Sequence, residues 1–287
     1  MADIRKKLDE NVDGLFFVDS TCIDCDTCRQ LAPEVFTDIG NYAAVQKQPQ
    51  NDDELRAALR ALVACPTGSI GTIEKMDIKS AIAEFPMELE PDIFYNGFTS
   101  PDSYGATSYF LRHPDGNWMI DSPKWMPHLR DRFREMGGLR YIFLTHRDDV
   151  ADADRYAKEF GAERIIHRLE LSAQPDAERV IEGLDPIQFA PDFLIVPVPG
   201  HTKGSCVLLY KNEVLFSGDH MWWSRNRNGL SASRSVAWYS WKEQVQSVKL
   251  LEKYPFRAIY PGHGERKALT ADAMSAELRK LVQVISR

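Results

Sequence analysis

Short apolar runs separated by polar segments make up most of this chain, and their spacing changes near residue 85. Before that point, the apolar residues at 15–18 predict a short strand. Leu55, Leu59 and Leu62 recur at helical spacing, which predicts an amphipathic helix over 53–62. This first part of the chain is therefore expected to be a small domain of short strands and helices.

The segment 84–92 separates two regions of different pattern. It contains two prolines and four acidic residues, a composition typical of a linker. Beyond it, short apolar strands alternate with helical segments. We therefore predict an α+β chain with a small domain over 1–85, a linker over 86–92 and a larger domain over 93–287.

Composition and charge limit the classes of function. The chain has 287 residues, 44% of them hydrophobic, and a formal net charge of −7. The acidic balance argues against a basic surface for nucleic acid, and no window approaches the roughly 18 consecutive apolar residues of a membrane span. The first residues also lack the apolar core of a signal peptide. We expect a cytoplasmic protein with no nucleic-acid or membrane partner.

Four of the five cysteines form a pattern. Cys22, Cys25 and Cys28 make a C-x2-C-x2-C run, and Cys65 stands before a proline further along. In a reducing compartment, clustered cysteines are metal or redox ligands more often than disulfides. Three thiolates in a tight loop and a fourth from elsewhere suit a 4Fe-4S cluster. A zinc site and free core thiols are the alternatives, but no histidine lies near residues 15–70 to support zinc.

The same region resembles single-cluster bacterial-type ferredoxins over residues 14–73. Where the two-cluster ferredoxin run has its fourth cysteine, this chain has Ala32 followed by Pro33, and it has no second C-x2-C-x2-C run. The resemblance implies one 4Fe-4S cluster held by the four cysteines named above. Cys206 lies far away on an apolar segment and is expected to be a small buried hydrophobe.

Histidine and aspartate residues of the larger domain follow short apolar strands, often directly after a glycine. Because glycine permits tight turns, we expect these residues in loops gathered along one sheet edge. Imidazole and carboxylate ligands together suit Zn, Fe or Mn. The candidates are His146, Asp148, Asp149, His201, Asp219, His220 and His263.

Three of these loops resemble motifs of the metallo-β-lactamase superfamily. They read Pro199-Gly200-His201-Thr202, Ser217-Gly218-Asp219 and Pro261-Gly262-His263-Gly264. The resemblance covers residues 93–287 and implies a four-layer αβ/βα sandwich with one or two divalent metals at its edge. It also implies His201 on the first metal, Asp219 bridging, His263 on the second metal and Asp121 in a supporting role.

The first metal-binding loop departs from the superfamily pattern T-H-x-H-x-D-H. It reads Thr145-His146 and continues to Asp148 and Asp149, so two of the three loop imidazoles are missing. His146 matches the first histidine if Thr-His sets the alignment, and the second if the following helix does. In both alignments His146 is a ligand of the first metal, and Asp148 or Asp149 is a ligand of the second metal. The second site is therefore rich in oxygen ligands, which favour Fe or Mn over Zn. The alternative is a metal-free scaffold in which these residues cap strand ends.

The loop after Asp219 is rich in arginine and tryptophan. Arginine beside a metal pocket binds carboxylate or phosphate through paired hydrogen bonds, and tryptophan forms apolar walls. The candidate substrate contacts are His220, Trp223, Arg225 and Arg227. The alternative is a solvated loop whose aromatic residues pack in the core.

Three functions fit these observations. The first is a hydrolase of acyl, thioester or phosphoester substrates that uses metal-bound hydroxide, with Asp148 or Asp149 orienting the nucleophile and passing on its proton. The second is a non-haem iron enzyme acting on oxygen or sulfur compounds, because two histidines and a carboxylate suit Fe(II) and the cluster can supply electrons. The third is a redox sensor or electron carrier on a non-catalytic scaffold. We expect a small-molecule substrate and a redox partner protein.

Overall fold

The computed structural model describes residues 2–286 of the chain. The strands are β1 Phe16–Val18, β2 Phe36–Asp38, β3 Ala43–Val45, β4 Ile70–Thr72, β5 Met87–Glu90, β6 Ile93–Tyr95, β7 Tyr109–Leu111, β8 Trp118–Ile120, β9 Tyr141–Phe143, β10 Glu163–His167, β11 Arg179–Ile181, β12 Ile187–Ala190, β13 Phe193–Pro197, β14 Cys206–Tyr210, β15 Val214–Gly218, β16 Trp222–Ser224, β17 Gly229–Ser231, β18 Ala258–Pro261 and β19 Lys267–Ala268. The helices are α1 Thr27–Leu31, α2 Asp52–Ala64, α3 Lys79–Ala83, α4 Pro127–Glu135, α5 Ala153–Phe160, α6 Trp241–Leu250 and α7 Ala271–Ile285.

Contacts divide the described chain into two units. The first runs to Asn117 and includes Pro123–Gly138, and the second takes Trp118–Ser122 and the residues from Leu139 onward. None of the helices within residues 2–286 has both the length and the apolar character that a membrane span requires.

In the first unit, the cysteine-bearing segment folds around two short ribbons and a helix. Strand β1 pairs antiparallel with β4, and β2 pairs with β3. The predicted helix at 53–62 is α2, where the Asn51 side chain accepts a 2.9 Å hydrogen bond from the Glu54 amide and so caps the first turn. The helix ends before Cys65 because a residue that precedes proline favours an extended backbone, as Cys65 shows with ψ 121°. The end of α2 therefore places Cys65 on the cavity that the other three clustered cysteines line.

The rest of the first unit contains strands β5, β6 and β7, paired antiparallel in that order. The predicted linker at 86–92 thus contains β5, which belongs to this ladder. Helix α4 begins at Pro127, a residue suited to the first helical turn. Its Phe133 ring stacks on Phe110 of β7 at a centroid distance of 5.0 Å. The boundaries 1–85 and 93–287 stay predictions.

The second unit opens with four parallel strands in the order β8-β9-β10-β11. Helix α5 connects β9 to β10, since parallel neighbours need a crossover. Parallel strands end at the same sheet edge, so Asp121 after β8 and Thr145-His146 after β9 emerge together. This edge carries the first candidate loop.

The other sheet of the second unit has the order β12-β13-β14-β15-β18-β19. Strands β15 and β18 are parallel, and β13 runs in the same direction because two antiparallel steps separate it from β15. The three loops that carry His201, Asp219 and His263 therefore lie at one edge, as the glycine-rich turns predicted. Helices α6 and α7 cover this sheet, and their Val248, Met274 and Leu278 side chains share its apolar core.

Candidate functional site: a thiolate cavity and a metal centre

The four predicted cluster cysteines line one cavity in the first unit. Cys22, Cys25 and Cys28 come from the loop that leads into α1, and Cys65 follows α2. Burial raises the pKa of the Cys25 thiol to about 11 and that of Cys28 well above its ordinary value. Thiolates at these positions therefore need a cationic partner, which iron would provide.

The cysteine sulfurs are further apart than a closed zinc site requires. Within residues 2–286, no three cysteine sulfurs lie mutually within 4.8 Å. Zn–S bonds of about 2.3 Å in a tetrahedron would bring the sulfurs to about 3.8 Å from one another. Backbone amides already point at two of the sulfurs: Ala43 N–H donates to Cys22 Sγ at 3.4 Å, and Ser69 N–H to Cys65 Sγ at 3.3 Å. Donors of this kind stabilise cluster-bound thiolates.

A glycine outside the predicted ferredoxin-like region also touches the thiolate cavity. Gly105 has φ +82°, and a Cβ there would lie 2.8 Å from Cys25 Sγ. Its carbonyl accepts a 3.4 Å hydrogen bond from the Thr27 hydroxyl. We did not identify Gly105 from the sequence, where only a Tyr-Gly pair in a polar loop marks it.

In the second unit, two imidazoles and two carboxylates converge on one point. His146 Nε2 lies 3.7 Å from Asp148 Oδ2 and 3.8 Å from Asp219 Oδ2. His201 Nε2 lies 3.6 Å from the same Asp148 oxygen and 3.8 Å from the same Asp219 oxygen. Ligands about 2.0–2.2 Å from a tetrahedral ion would stand about 3.3–3.6 Å apart. The array is therefore slightly wider than a closed tetrahedral site.

The two converging imidazole nitrogens lack any other partner. His146 Nε2 and His201 Nε2 are both buried with no hydrogen bond among the described residues. The other nitrogen of His201, Nδ1, donates to the Val236 carbonyl at 2.5 Å, which leaves Nε2 with its lone pair. Burial lowers the pKa of His146 to about 4, so this imidazole is neutral near pH 7. His146 therefore presents the form that binds metal. Burial opposes ionisation of His201, but Asp148 and Asp219 outweigh it and raise its pKa, so a cation at Nε2 would displace a proton.

A hydrogen-bonded chain orients His146 from behind. Asp121, at the end of β8, accepts from the Thr145 amide at 2.8 Å and from the Thr145 hydroxyl at 3.0 Å. Because that hydroxyl donates to Asp121, its oxygen accepts from His146 Nδ1 at 3.0 Å. Burial raises the pKa of Asp121 to about 8. This arrangement agrees with the supporting role that the superfamily resemblance implied.

Asp149 faces the other side of His146. It is buried, and neither of its carboxylate oxygens has a hydrogen-bond partner among residues 2–286. Burial, and then the charge of Asp219, raise the pKa of Asp149 well above its ordinary value. Gly262 packs between the two acids, since a Cβ there would lie 2.7 Å from Asp149 Oδ2 and 2.7 Å from Asp219 Oδ1. An unpaired buried carboxylate is costly, so this one requires a proton or a cation.

The geometry distinguishes Asp148 from Asp149, which the sequence left interchangeable. Within residues 2–286, ligand atoms lie within 4.8 Å of one another in the set His146, Asp148, His201 and in the set His146, Asp149, Asp219. His263 belongs to neither set, although its Nδ1 bonds both oxygens of Asp219 at 2.8 and 2.9 Å. Burial opposes ionisation of Asp219, but His263 outweighs it and holds the pKa of Asp219 below its usual range.

A buried glutamate joins the two histidine loops and was not identified from the sequence. Glu170 is 1% exposed, and its two oxygens accept from the Gly204 amide at 2.7 Å and the Arg147 amide at 3.3 Å. Those amides belong to the loops of His201 and His146 respectively. The only sequence signal was an acidic residue shortly after the apolar strand at 165–167.

The predicted substrate contacts divide into three groups. Trp223 packs in the core under α6 and α7, and Arg225 forms an ion pair with Glu265 at 2.5 Å. Arg227 is exposed. His220 is buried beside His201, neither of its ring nitrogens has a partner among the described residues, and burial lowers its pKa to about 3. The substrate roles of these four residues stay predictions.

Comparisons with known proteins agree with both resemblances. Residues 18–72 match the family described as the 4Fe-4S single cluster domain of Ferredoxin I. The DIM-1 metallo-beta-lactamase structure aligns with 69% of this chain and 95% of its own, at 15% identity and a TM-score of 0.52. The BLEG-1 B3 metallo-beta-lactamase aligns with 68% of this chain and 100% of its own, at 17% identity and a TM-score of 0.50. A metallo-beta-lactamase from Hirschia baltica aligns with 67% of this chain and 95% of its own, at 16% identity and a TM-score of 0.50.

No curated protein sequence matches the chain. The structural likenesses nevertheless define the class of fold, a metallo-β-lactamase fold. This chain combines that fold with a ferredoxin-type 4Fe-4S segment at its N-terminal side. The predicted fold class is thereby confirmed.

Proposed function

We propose that this chain is a metal-dependent hydrolase of a small acyl ester, thioester or phosphoester. The observation that carries the proposal is the convergence of His146 Nε2, His201 Nε2, Asp148 Oδ2 and Asp219 Oδ2, with both imidazole nitrogens otherwise unpartnered. A divalent cation held by these atoms supplies Lewis acidity, which acidifies water and polarises the scissile carbonyl or phosphoryl oxygen.

The donor set and its burial both fit a cation. Asp121, Asp149 and Asp219 bring three carboxylates into a largely buried cluster, and both oxygens of Asp149 lack a partner among the described residues. Buried charges are retained only where they are paired or coordinate metal. We assign the first ion to His146, His201 and Asp219 with Asp148. We assign a second ion, where one is bound, to Asp149, Asp219 and His263.

Asp148 and Asp149 have different proton-handling properties. The neighbouring imidazoles of His201 and His146 lower the pKa of Asp148, whose side chain is 50% exposed. Asp148 can therefore accept a proton from an attacking water and release it to solvent. Asp149 is buried and favours the protonated form unless a cation is present, so we assign it to ion binding and to orienting the nucleophile.

A second function is favoured by the same ligands together with the ferredoxin-type segment. Two imidazoles and carboxylates, with no thiolate, suit non-haem iron that handles oxygen or sulfur compounds. The 4Fe-4S cluster would supply the electrons, which a hydrolase does not need. In this case a redox partner protein reduces the cluster. The third function, a sensor or carrier, requires the cluster but no second metal.

Elemental analysis of anaerobically purified full-length protein separates the three functions. For hydrolysis, we expect zinc or manganese beyond the cluster iron, and turnover in a panel of ester, thioester and phosphoester substrates. The double variant His201→Ala, Asp219→Asn should lose both the additional metal and turnover. A matched double variant on α4, His128→Ala with Asp131→Asn, should keep both.

Other outcomes of that analysis contradict hydrolysis. One additional iron with oxygen uptake and no hydrolysis would favour the second function. Four irons and four sulfides alone would leave only the sensor or carrier. Unchanged metal content and turnover in the His201, Asp219 double variant would refute both enzymatic proposals.

A further inference from the structure

We propose that Trp238 is a specificity-determining residue, and that its exposed indole binds a planar group of the substrate beside the metal centre. The inference rests on the proposed function and adds a substrate class to it, namely small molecules with an aromatic or conjugated group near the reacting bond.

The first observation is the position of the ring. The Trp238 ring centroid lies 6.2 Å from that of His201, one of the two imidazoles with an unpartnered Nε2. The indole is 68% exposed. A group stacked on it would therefore lie next to the metal centre. Among the predicted contacts, Trp223 offers no such surface because it is buried at 6% exposure.

The second observation is that the loop holding Trp238 is fixed on both sides. Before it, the Val236 carbonyl accepts from His201 Nδ1 at 2.5 Å. After it, the Tyr239 amide donates to the His201 carbonyl at 3.0 Å, and the Ser240 amide donates to the Gly200 carbonyl at 3.0 Å. The backbone around Trp238 is thus tied to the loop that carries the metal-binding histidine. A loop held in this way fixes the backbone of Trp238 relative to the loop of His201.

The third observation concerns energy. The exposed indole leaves apolar surface in water, and covering it with a planar group removes that surface and forms an aromatic pair. The neighbouring Tyr239 is 47% exposed and lies under the Lys203 ammonium, 5.5 Å from its ring centroid. This adjoining positive charge suits an anionic group on the ligand. Because the aromatic surface adjoins metal ligands, we assign it to the substrate and not to a protein partner.

The test measures binding, so it does not depend on turnover. Isothermal titration of the metal-loaded full chain should compare 2-naphthoate, which is planar, with decahydro-2-naphthoate, its saturated counterpart. We expect wild type to bind 2-naphthoate about three- to tenfold more tightly, the range of an aromatic pair. Trp238→Ala should abolish that preference, and Trp238→Phe should retain most of it. The control Leu184→Ala removes another exposed apolar side chain from the same unit and should change nothing.

Three results would overturn the inference. The first is an equal preference for 2-naphthoate over decahydro-2-naphthoate in wild type and Trp238→Ala. The second is no binding of 2-naphthoate to wild type. The third is a change from dimer to monomer in Trp238→Ala without a change in ligand preference. The last would mean that a second copy of the chain covers the indole. The protein could prefer 2-naphthoate in a way that depends on Trp238 and yet hydrolyse none of the substrates. That result would support the binding site and refute hydrolysis, so the two failures are distinguishable.

Discussion

Replacing Glu170 with glutamine should weaken metal binding without touching any proposed ligand. Glu170 accepts from Gly204 N–H at 2.7 Å and from Arg147 N–H at 3.3 Å, and these amides lie in the loops of the two metal-binding histidines. A glutamine has one carbonyl oxygen, which can keep the shorter bond. Its amide group would then face the Arg147 N–H, donor against donor.

The magnitude follows from the one bond that is lost. Hydrogen bonds to a charged group contribute about 1.5–3 kcal/mol, and the Arg147 bond is the longer of the two, so we expect a loss of about 1.5–2 kcal/mol in the free energy of unfolding. Residues that orient metal ligands typically change metal affinity by about 10- to 100-fold when altered. We expect Glu170→Gln near the lower end, because only one of the two loops is released.

The assay is competition against a chromophoric chelator, with urea unfolding of the metal-free protein in parallel. Glu178→Gln is the matched control, since Glu178 also accepts from a backbone amide, that of Arg164 at 2.7 Å, and from the Arg164 guanidinium. The control should lose stability and keep its metal affinity. If Glu170→Gln binds metal as tightly as wild type, Glu170 does not position the loops and the reasoning is wrong.

Two further predictions concern the thiolate cavity and the buried acids. Gly105→Ala should reduce the iron and acid-labile sulfide content, because the added methyl group would collide with Cys25. Gly40 also has a positive φ but has open space around it, so Gly40→Ala should keep the cluster. Equal cluster content in the two variants would contradict this prediction. In the metal-free protein, the pKa of Asp121 is raised to about 8. Near neutral pH the folded state therefore holds a proton that the unfolded state has released. The free energy of unfolding should fall as pH rises from about 6.5 to 8. Below this window His146, with its lowered pKa, has the opposite effect. Urea midpoints should show a flatter profile for Asp121→Asn, and an unchanged slope would exclude Asp121 as its source.

The second loop shows how far a local pattern reaches. Pro199-Gly200-His201-Thr202 indicated both a metallo-β-lactamase resemblance and a strand-end position for His201, and the structure places that loop at the predicted sheet edge. The pattern is informative because a tight turn after a strand needs specific residues in consecutive positions. The tautomer of His201 was not predictable, since it depends on the carbonyl of Val236, which lies 35 residues away.

The first loop shows where such patterns stop. Its sequence left Asp148 and Asp149 interchangeable, because both lie within reach of a strand end and both are carboxylates. The structure separates them by burial: Asp148 is half exposed and lies between the two imidazoles, while Asp149 is buried against Gly262. Which neighbour faces inward depends on how the loop packs, and spacing alone does not encode that.

By itself, the amino-acid sequence indicated the four cysteines and the order of the histidine and aspartate loops, because each of these motifs is recognisable from a few consecutive residues. Only the tertiary structure revealed Gly105 beside Cys25, Glu170 between two loops and Trp238 beside His201. Each of these contacts joins segments that are far apart in sequence, and each is fixed by packing and hydrogen bonding that form only when the chain has folded.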